Sequence, residues 1–309
     1  MSTGDLTKPG VHHGMLAGAY HSDPVIGGSL RASVAATLIE KSPRHALHKD
    51  SEPLPTPSRE MNIGTAAHSL ILEKQDMVEV IDAADFKTKS AREARDDALA
   101  AGKVPLLAGD YPLVAEIARE FWLQLPAAMH DEFRDAAKEA VVIWDEAGLT
   151  CRSRLDALNI DRRVIFDLKT TGGSAHPEVW SRSRMWPGAA VQAAFYTRGV
   201  KAVTGVDCDY RLLVIEQDPP HGLSVIGLDT IAAAVADQMA DVAIRTWREC
   251  RASGRWPAYD TGIHWASAPP WTVKSWEEGK EAAKLLRQAS VPLGALHLAM
   301  AAQRPLEWG

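Results

Sequence analysis

Asp156, Asp167 and Lys169 are the residues whose types and spacing point most directly to chemistry. They lie in 151–171, CRSRLDALNIDRRVIFDLKTT, which has the pattern of two short strands joined by a polar turn. Residues i and i+2 of a strand share a face, so Asp167 and Lys169 project together while Leu168 points the other way. Two carboxylates on successive strands beside an ammonium suit divalent-metal hydrolysis of a phosphodiester. Mg²⁺ takes oxygen ligands and keeps several waters, so Asp156, Asp167 and the Leu168 carbonyl, with substrate phosphate, are a sufficient donor set. The ion would lower the pKa of a water and offset charge on the scissile phosphate. Lys169 then has three openings: orienting that water, helping to deprotonate it, or stabilising the pentacoordinate oxygens. A lone D-x-K string is equally a surface ion pair on a strand, so the decision rests on residues elsewhere.

Two remote pairs bear on it. Gly64 and His68 are i and i+4, on one face of a helix expected over 63–73. The small Gly64 lets another backbone approach while His68 reaches inward. Gln192 and Tyr196 repeat the spacing on a helix expected over 188–205. Taken singly, each is an ordinary packed or surface residue.

The elements that must position these groups follow from periodicity. Helical spacing is expected over 29–39, ended by Ser42-Pro43, and over 111–125 with Leu113, Ile117, Phe121 and Leu125 as its buried stripe. The charged segment 87–101 is expected to be a solvated helix. AVVIW at 140–144 has a buried-strand pattern and turns through DEAG into the Asp156 strand. YRLLVIE at 210–216 and LSVIGL at 223–228 predict two further strands, followed by a long helix over 229–251 capped by Asp229. Helices, three strands, a helix, two strands and a helix predict an α/β domain with one mixed central sheet covered by helices. RVIFDL is apolar on both faces until its acid, as in a central strand. Burying a charge at the end of such a strand is costly unless it binds something. The expected organisation is a mobile segment 1–27, a main domain 28–260 with an exposed proline-rich connector at 50–60, and an extension 261–309.

Composition narrows the class. The 309 residues, 46% of them hydrophobic, are enough for a sizeable core. No run approaches the ~20 apolar residues of a membrane span, and MSTGDLTKPGVHHG lacks a signal-peptide pattern; a cytoplasmic protein is expected. Three scattered cysteines, Cys151, Cys208 and Cys250, are too few for an iron–sulfur cluster. The net charge of −6 gives no global support for nucleic-acid binding, yet nine basic residues against four acids fall within 151–201.

In order along the chain, G-x-x-x-H, an acid closing a strand, D-x-K and Q-x-x-x-Y resemble the RecB-like branch of the PD-(D/E)xK nuclease superfamily, and more closely the RecE-like (exonuclease VIII) exonuclease domains. The resemblance is carried by Tyr20-His21-Ser22, Ser42-Pro43, IGTAAH (63–68), CRSRLD (151–156), DLKTT (167–171), VQAAFY (191–196) and Trp256-Pro257. It implies a restriction-endonuclease-like α/β core with a mixed central β-sheet flanked by helices. It implies His68, Asp156 and Asp167 as ligands to Mg²⁺ or Mn²⁺, with the Leu168 carbonyl, and Lys169 as the catalytic lysine. Gln192 and Tyr196 are implied to shape the site and touch DNA, and Glu139 falls where RecE-like domains carry an acid. Leu155 stands where the family name has proline, and 261–309 has no counterpart. RecE-like enzymes digest linear double-stranded DNA from the 5′ end without ATP. They leave 3′ tails for a RecT-like annealing partner, in phage or prophage recombination, and they form rings around DNA. The resemblance thus implies double-stranded DNA ends as substrate, a ring-shaped homo-oligomer and no membrane. Arg245, Arg248, Arg251 and Arg255 have two readings, a channel lining or a solvated helix end. The competing functions are a catalytically silent DNA-end-binding or scaffold protein, and an endonuclease or single-strand nuclease of the same superfamily.

Overall fold

A computed structural model describes residues 8–52, 57–72 and 74–288. Chain order is β1 (Gly10–His12), α1 (Ala17–His21), β2 (Leu30–Arg31), α2 (Ala32–Glu40), α3 (Pro43–Ser51), α4 (Arg59–Ile71), β3 (Val78–Ile81), α5 (Lys89–Ala100), β4 (Val104–Leu107), α6 (Tyr111–Gln124) and α7 (Ala127–Arg134). It continues through β5 (Ala137–Glu146), β6 (Leu149–Asn159), β7 (Val164–Thr171), α8 (Pro177–Ser183), α9 (Ala190–Thr204), β8 (Asp209–Glu216), β9 (Leu223–Ile226), α10 (Thr230–Ser253) and α11 (Pro270–Gln288).

Among the described residues, seven strands form a mixed sheet in the order β1-β5-β6-β7-β8-β9, with β2 paired to β6. β7 is antiparallel to β6 and parallel to β8. It is central, and its Val164, Ile165 and Phe166 are fully buried, each contributing ~1.5–3 kcal/mol by leaving water. The two faces of the sheet feed two cores. Trp144, Ile165, Leu212 and Val214 pack with residues of α2, α9 and α10. Phe166, Leu168, Leu213 and Ile215 pack with residues of α4, α6 and α7. Leu168 therefore points toward the α4 side, and the period-2 pattern puts Asp167 and Lys169 on the α9 side.

Local chemistry sets the helix ends. Ser58 caps α4 by accepting from the Met61 N–H (3.3 Å), and Asp229 caps α10 by accepting from the Ala232 N–H (2.7 Å). Ser42-Pro43 both ends α2 and starts α3: the Ser42 hydroxyl accepts from the His45 N–H and Pro43 takes the first turn. Residues 10–21, expected to belong to a mobile lead-in, instead form β1 and α1; β1 pairs with β5, and Tyr20 is buried beneath Arg152, whose guanidinium lies 5.3 Å from the ring centroid. Residues 1–7, and 53–56 of the proline-rich connector, lie outside the described residues.

Two compact units are present, one running to Tyr259 and one from Asp260 onward. The second holds α11 with local Lys274–Glu278 and Lys284–Glu281 ion pairs (3.8 and 4.0 Å); 289–309 lies outside the described residues. No helix among the described residues is long and apolar enough to cross a membrane.

Candidate active site

The ladder between β6 and β7 ends at the pair Ala157↔Phe166, so the next residues, Asp156 and Asp167, stand where the two strands part. Asp156 replaces the lost ladder with its side chain: its Oδ2 accepts from the Leu168 N–H (2.8 Å). A strand residue turns its N–H and C=O toward the same edge, so the Leu168 carbonyl faces this opening too.

Across the opening, α9 and α4 supply the remaining groups. Gln192 Nε2 donates to Asp167 Oδ1 (2.9 Å) and to the Tyr196 hydroxyl (2.6 Å). Lys169 Nζ lies 2.7 Å from Asp167 Oδ2, and His68 Nε2 lies 3.2 Å from Asp156 Oδ2. The structure thus brings His68, Asp156, Asp167, Leu168, Lys169, Gln192 and Tyr196 to one place. A cleft of about 380 Å³ opens beside them, lined in part by Asp156, Gln192 and Tyr196. A roomier cavity of about 810 Å³ beside β3 and α5 holds none of them.

The electrostatics split the two carboxyls. Burial pushes the Asp156 carboxyl up, but the charge and hydrogen bond of His68, with help from Lys169 and the Leu168 N–H, bring it down to about 2. Burial raises Asp167 above its ordinary value, the Asp156 charge adds to that, and Lys169 and Tyr210 only partly offset it. Lys169 is lowered by burial yet held above its ordinary value by Asp167 and Asp156. Burial and the two carboxylates raise the Tyr196 and Tyr210 phenols well above theirs, so both stay protonated at neutral pH.

Residues 34–265 match the family model described as "PDDEXK-like domain of unknown function (DUF3799)". The chain belongs to this PDDEXK-like family. The matched span contains all the residues that meet at the opening. A solved structure named "Putative exonuclease", from Eubacterium rectale, is similar at 12% identity over 84% of this chain and 96% of that one, with a TM-score of 0.58. That likeness is one of fold. The structure of SSO0001, 15% identical over 59% of this chain and 85% of that one, has a TM-score of 0.25 and carries no argument. No curated protein matches in sequence.

Within this PDDEXK-like fold the donor set suits a hard divalent ion: two carboxylates, a backbone carbonyl facing the same opening, and an imidazole. Among the described residues, however, no three His, Cys, Asp or Glu side chains are gathered as a ready-made metal centre. The Asp167 oxygens are taken by Gln192, Tyr210 and the Lys169 ammonium, a cation already in place. An ion held by one or two carboxylates, with the Leu168 carbonyl, substrate and waters, fits this arrangement better than an all-protein cage.

One contributor to the PDDEXK-like site escaped sequence reasoning. Tyr210 donates its hydroxyl to Asp167 Oδ2 (3.0 Å); only the parallel register of β7 and β8 brings it there. Glu139 sits between Lys138 and Ala140, which pair with Ala157 and Leu155, and it has a φ of 53°, a strained backbone for a non-glycine residue. Opposite it the alternation of β6 slips, since Leu155 belongs to the α9-side core and Ala157 to the α4-side core. Asp156 lies at this break in the alternation, with no extra residue in either strand. Glu139 itself is bound by Lys74 and by Arg154 Nη2 (2.5 Å), so it pairs with cations rather than with the other acids.

The basic cluster of 151–201 disperses in the fold. Arg198 ties Glu146, Asp237 and Asp241 together, Lys201 pairs with Asp207, and buried Arg152 pairs with Asp23. Lys169 and Arg154 stand by the carboxylates. Arg248 and Arg251 donate to the backbone carbonyls of Ala147 and of Gly27 and Gly28, which ties down loops.

Gly64 positions His68. A Cβ there would stand 2.6 Å from Thr170 Oγ1 and 2.7 Å from Gln217 Nε2, so α4 lies against the end of β7 without a side chain between them. Gly64→Ala is expected to cost ~1–3 kcal/mol of stability by overpacking and to move His68 off Asp156. A denaturant titration at unchanged slope, together with an activity assay, checks both; an unshifted midpoint would show that Thr170 and Gln217 yield freely.

Proposed function

We propose that this chain is a Mg²⁺- or Mn²⁺-dependent, ATP-independent exodeoxyribonuclease that degrades linear double-stranded DNA, 5′ to 3′, leaving 3′ single-stranded tails for recombination. One observation carries it: Asp156, Asp167 and Lys169 converge where β6 and β7 part, with His68 and Gln192 closing on the two carboxylates. Membership of the PDDEXK-like family supports the nuclease class, and the name of the Eubacterium rectale protein supports the exonuclease reading. Double-stranded DNA ends as substrate, a RecT-like annealing partner and a ring-shaped homo-oligomer belong to the same proposal. A ring would retain DNA by topology, which suits a chain of net charge −6.

Asp156, Asp167 and the Leu168 carbonyl would hold the ion, with His68 at the Asp156 end. Bound there, it would lower the pKa of a water and offset charge on the phosphate. The chain's own residues do the rest. Lys169, as an ammonium, stabilises the oxygens that gain negative charge in the transition state. Gln192 and Tyr210 fix the Asp167 oxygens, and Tyr196 fixes Gln192.

End-labelled linear duplexes in Mg²⁺, with closed circles as control, test substrate, end requirement and direction together. Progressive release of nucleotides from linear DNA alone is expected. Cleavage of closed circles would replace the exonuclease with an endonuclease. Calorimetry with Mn²⁺ is expected to show binding, and its absence would favour a catalytically silent end-binding protein.

A further inference from the structure

The cavity of about 810 Å³ runs along the edge of β3 rather than against one of its faces. Glu79, Val80, Ile81 and Asp82 follow one another on its lining. Successive strand residues point to opposite faces, so what these share is the edge. β3 pairs through all four of its residues with β4 and, among the described residues, with no other strand. Glu79 and Val80 make no backbone hydrogen bond outside that ladder, and Val80 is 46% exposed. The other wall is α5, which presents Ala91, Ala94 and Ala98, residues three and four apart and hence on one helix face. Their short side chains leave an apolar slot beside the strand.

The charge of the slot is one-sided. Glu79, Asp82, Asp85 and Asp97 line it against one cation, Lys103. Lys103 is spent on Glu79 (2.7 Å), and Asp85 accepts from the Lys87 N–H (2.8 Å). Asp82 and Asp97 are exposed, and their carboxylates have no hydrogen-bond or ion-pair partner among the described residues.

We propose that β3 and α5 form a docking groove for an extended, cationic segment of a partner protein, which adds to the sheet as a strand beside β3. The unpaired edge supplies main-chain donors and acceptors. The alanine wall takes the partner's apolar side chains, and the carboxylates take lysines or arginines between them. The same charge repels a nucleic-acid backbone. None of these residues belongs to the carboxylate opening at Asp156, so the groove stands or falls apart from the nuclease reading. The competing role for the acids is to keep the edge unpaired, as charges do on edge strands; a surface built only for that binds no strand.

Full-length protein is titrated with a short fluorescein-labelled peptide of alternating lysine and valine, read by anisotropy. It is expected to bind about tenfold tighter than a glutamate–valine peptide. The same advantage is expected over the lysine–valine peptide methylated at every backbone nitrogen, which keeps the charge and loses the ladder donors. Hydrogen exchange at 78–81 is expected to slow on binding. Asp82→Asn with Asp97→Asn is expected to weaken binding about tenfold, and Ala94→Phe, which fills the slot, to weaken it as much. Circular-dichroism melts check that each variant folds; the two aspartates are exposed, so the charge variant decides the matter if Ala94→Phe does not fold. No binding overturns the groove and leaves the acids as edge protection. Equal affinity for the methylated peptide overturns it in favour of a plain acidic patch, and slowed exchange confined to residues away from β3 overturns it outright.

Discussion

Lys169→Met is expected to lower nucleotide release from linear duplex DNA by about 10²–10⁴-fold while leaving a folded protein. Its ammonium is 2.7 Å from Asp167 Oδ2, and its side chain is 34% exposed, so it reaches both the carboxylate and an incoming phosphate. Asp167 and Asp156 hold its pKa above the ordinary value despite burial. In the metal-free protein Lys169 is thus a firm cation, and of its three openings, stabilising charge is favoured over accepting a proton. Arginine separates these roles, because a guanidinium keeps the charge and does not give up its proton near neutral pH. Lys169→Arg retaining a measurable part of the activity lost in Lys169→Met supports charge stabilisation. Equal loss in both points to proton transfer or to the ammonium's compact geometry. Single-turnover rates on end-labelled duplex, with circular-dichroism melts of each variant, make the comparison, and a parental rate in Lys169→Met would remove Lys169 from the mechanism.

The site was legible where its information is local. The period of two in RVIFDLKTT puts Asp167 and Lys169 on one face and Leu168 on the other, and β7 does so with Leu168 in the α4-side core. The i, i+4 pairs Gly64/His68 and Gln192/Tyr196 were equally readable, because α4 and α9 are regular and pack against the sheet. What stayed hidden is non-local. Tyr210 reaches Asp167 through the pairing of β7 with β8, which lie on either side of α8 and α9 in the chain. The slip opposite Glu139 depends on a backbone angle that no residue type announces. Ser42-Pro43 ends α2 as its sequence predicts; its second role, capping α3, stayed hidden because one signal serves both helices. β3 and β4 are four residues each and, among the described residues, pair only with one another across α5, so neither carries enough alternation to be seen. In α6 the buried stripe is Val114, Ile117, Phe121 and, just past its end, Leu125, with Leu113 only partly covered, a shift of one position within the expected face.

Asp167→Asn is expected to abolish cleavage and, in chelator, to make the protein more stable than the parent. The carboxyl is fully buried and sits by a second carboxylate, so its pKa is raised even with Lys169, Gln192 and Tyr210 as partners. A group raised in the folded state favours the fold when protonated. Its contribution is therefore complete below the ordinary value of 3.8 and is lost as pH rises through the folded value. At neutral pH the parent carries that cost and an amide does not. Asn also keeps its neighbours satisfied, with its oxygen toward Lys169 and Tyr210 and its amino group toward Gln192, whose amide can flip. The melting temperature should rise by about 2–4 °C for each kcal/mol relieved, and the gain should shrink as the pH falls toward 3.8. Asp156 has the opposite sign. Its pKa of about 2 gives stability that is present above the ordinary 3.8 and lost as pH falls through the folded value, so acid unfolding below pH 4 should persist in the variant. Metal reverses the ranking. An ion that binds only the folded state adds ~2.7 kcal/mol at a hundredfold excess over its Kd, a gain that requires the Asp167 charge. Parent protein should therefore melt higher in Mn²⁺ than in chelator, and Asp167→Asn should respond far less. If the variant melts lower than the parent in chelator, or gains as much from Mn²⁺, then Asp167 is a structural ion pair and the metal lies elsewhere.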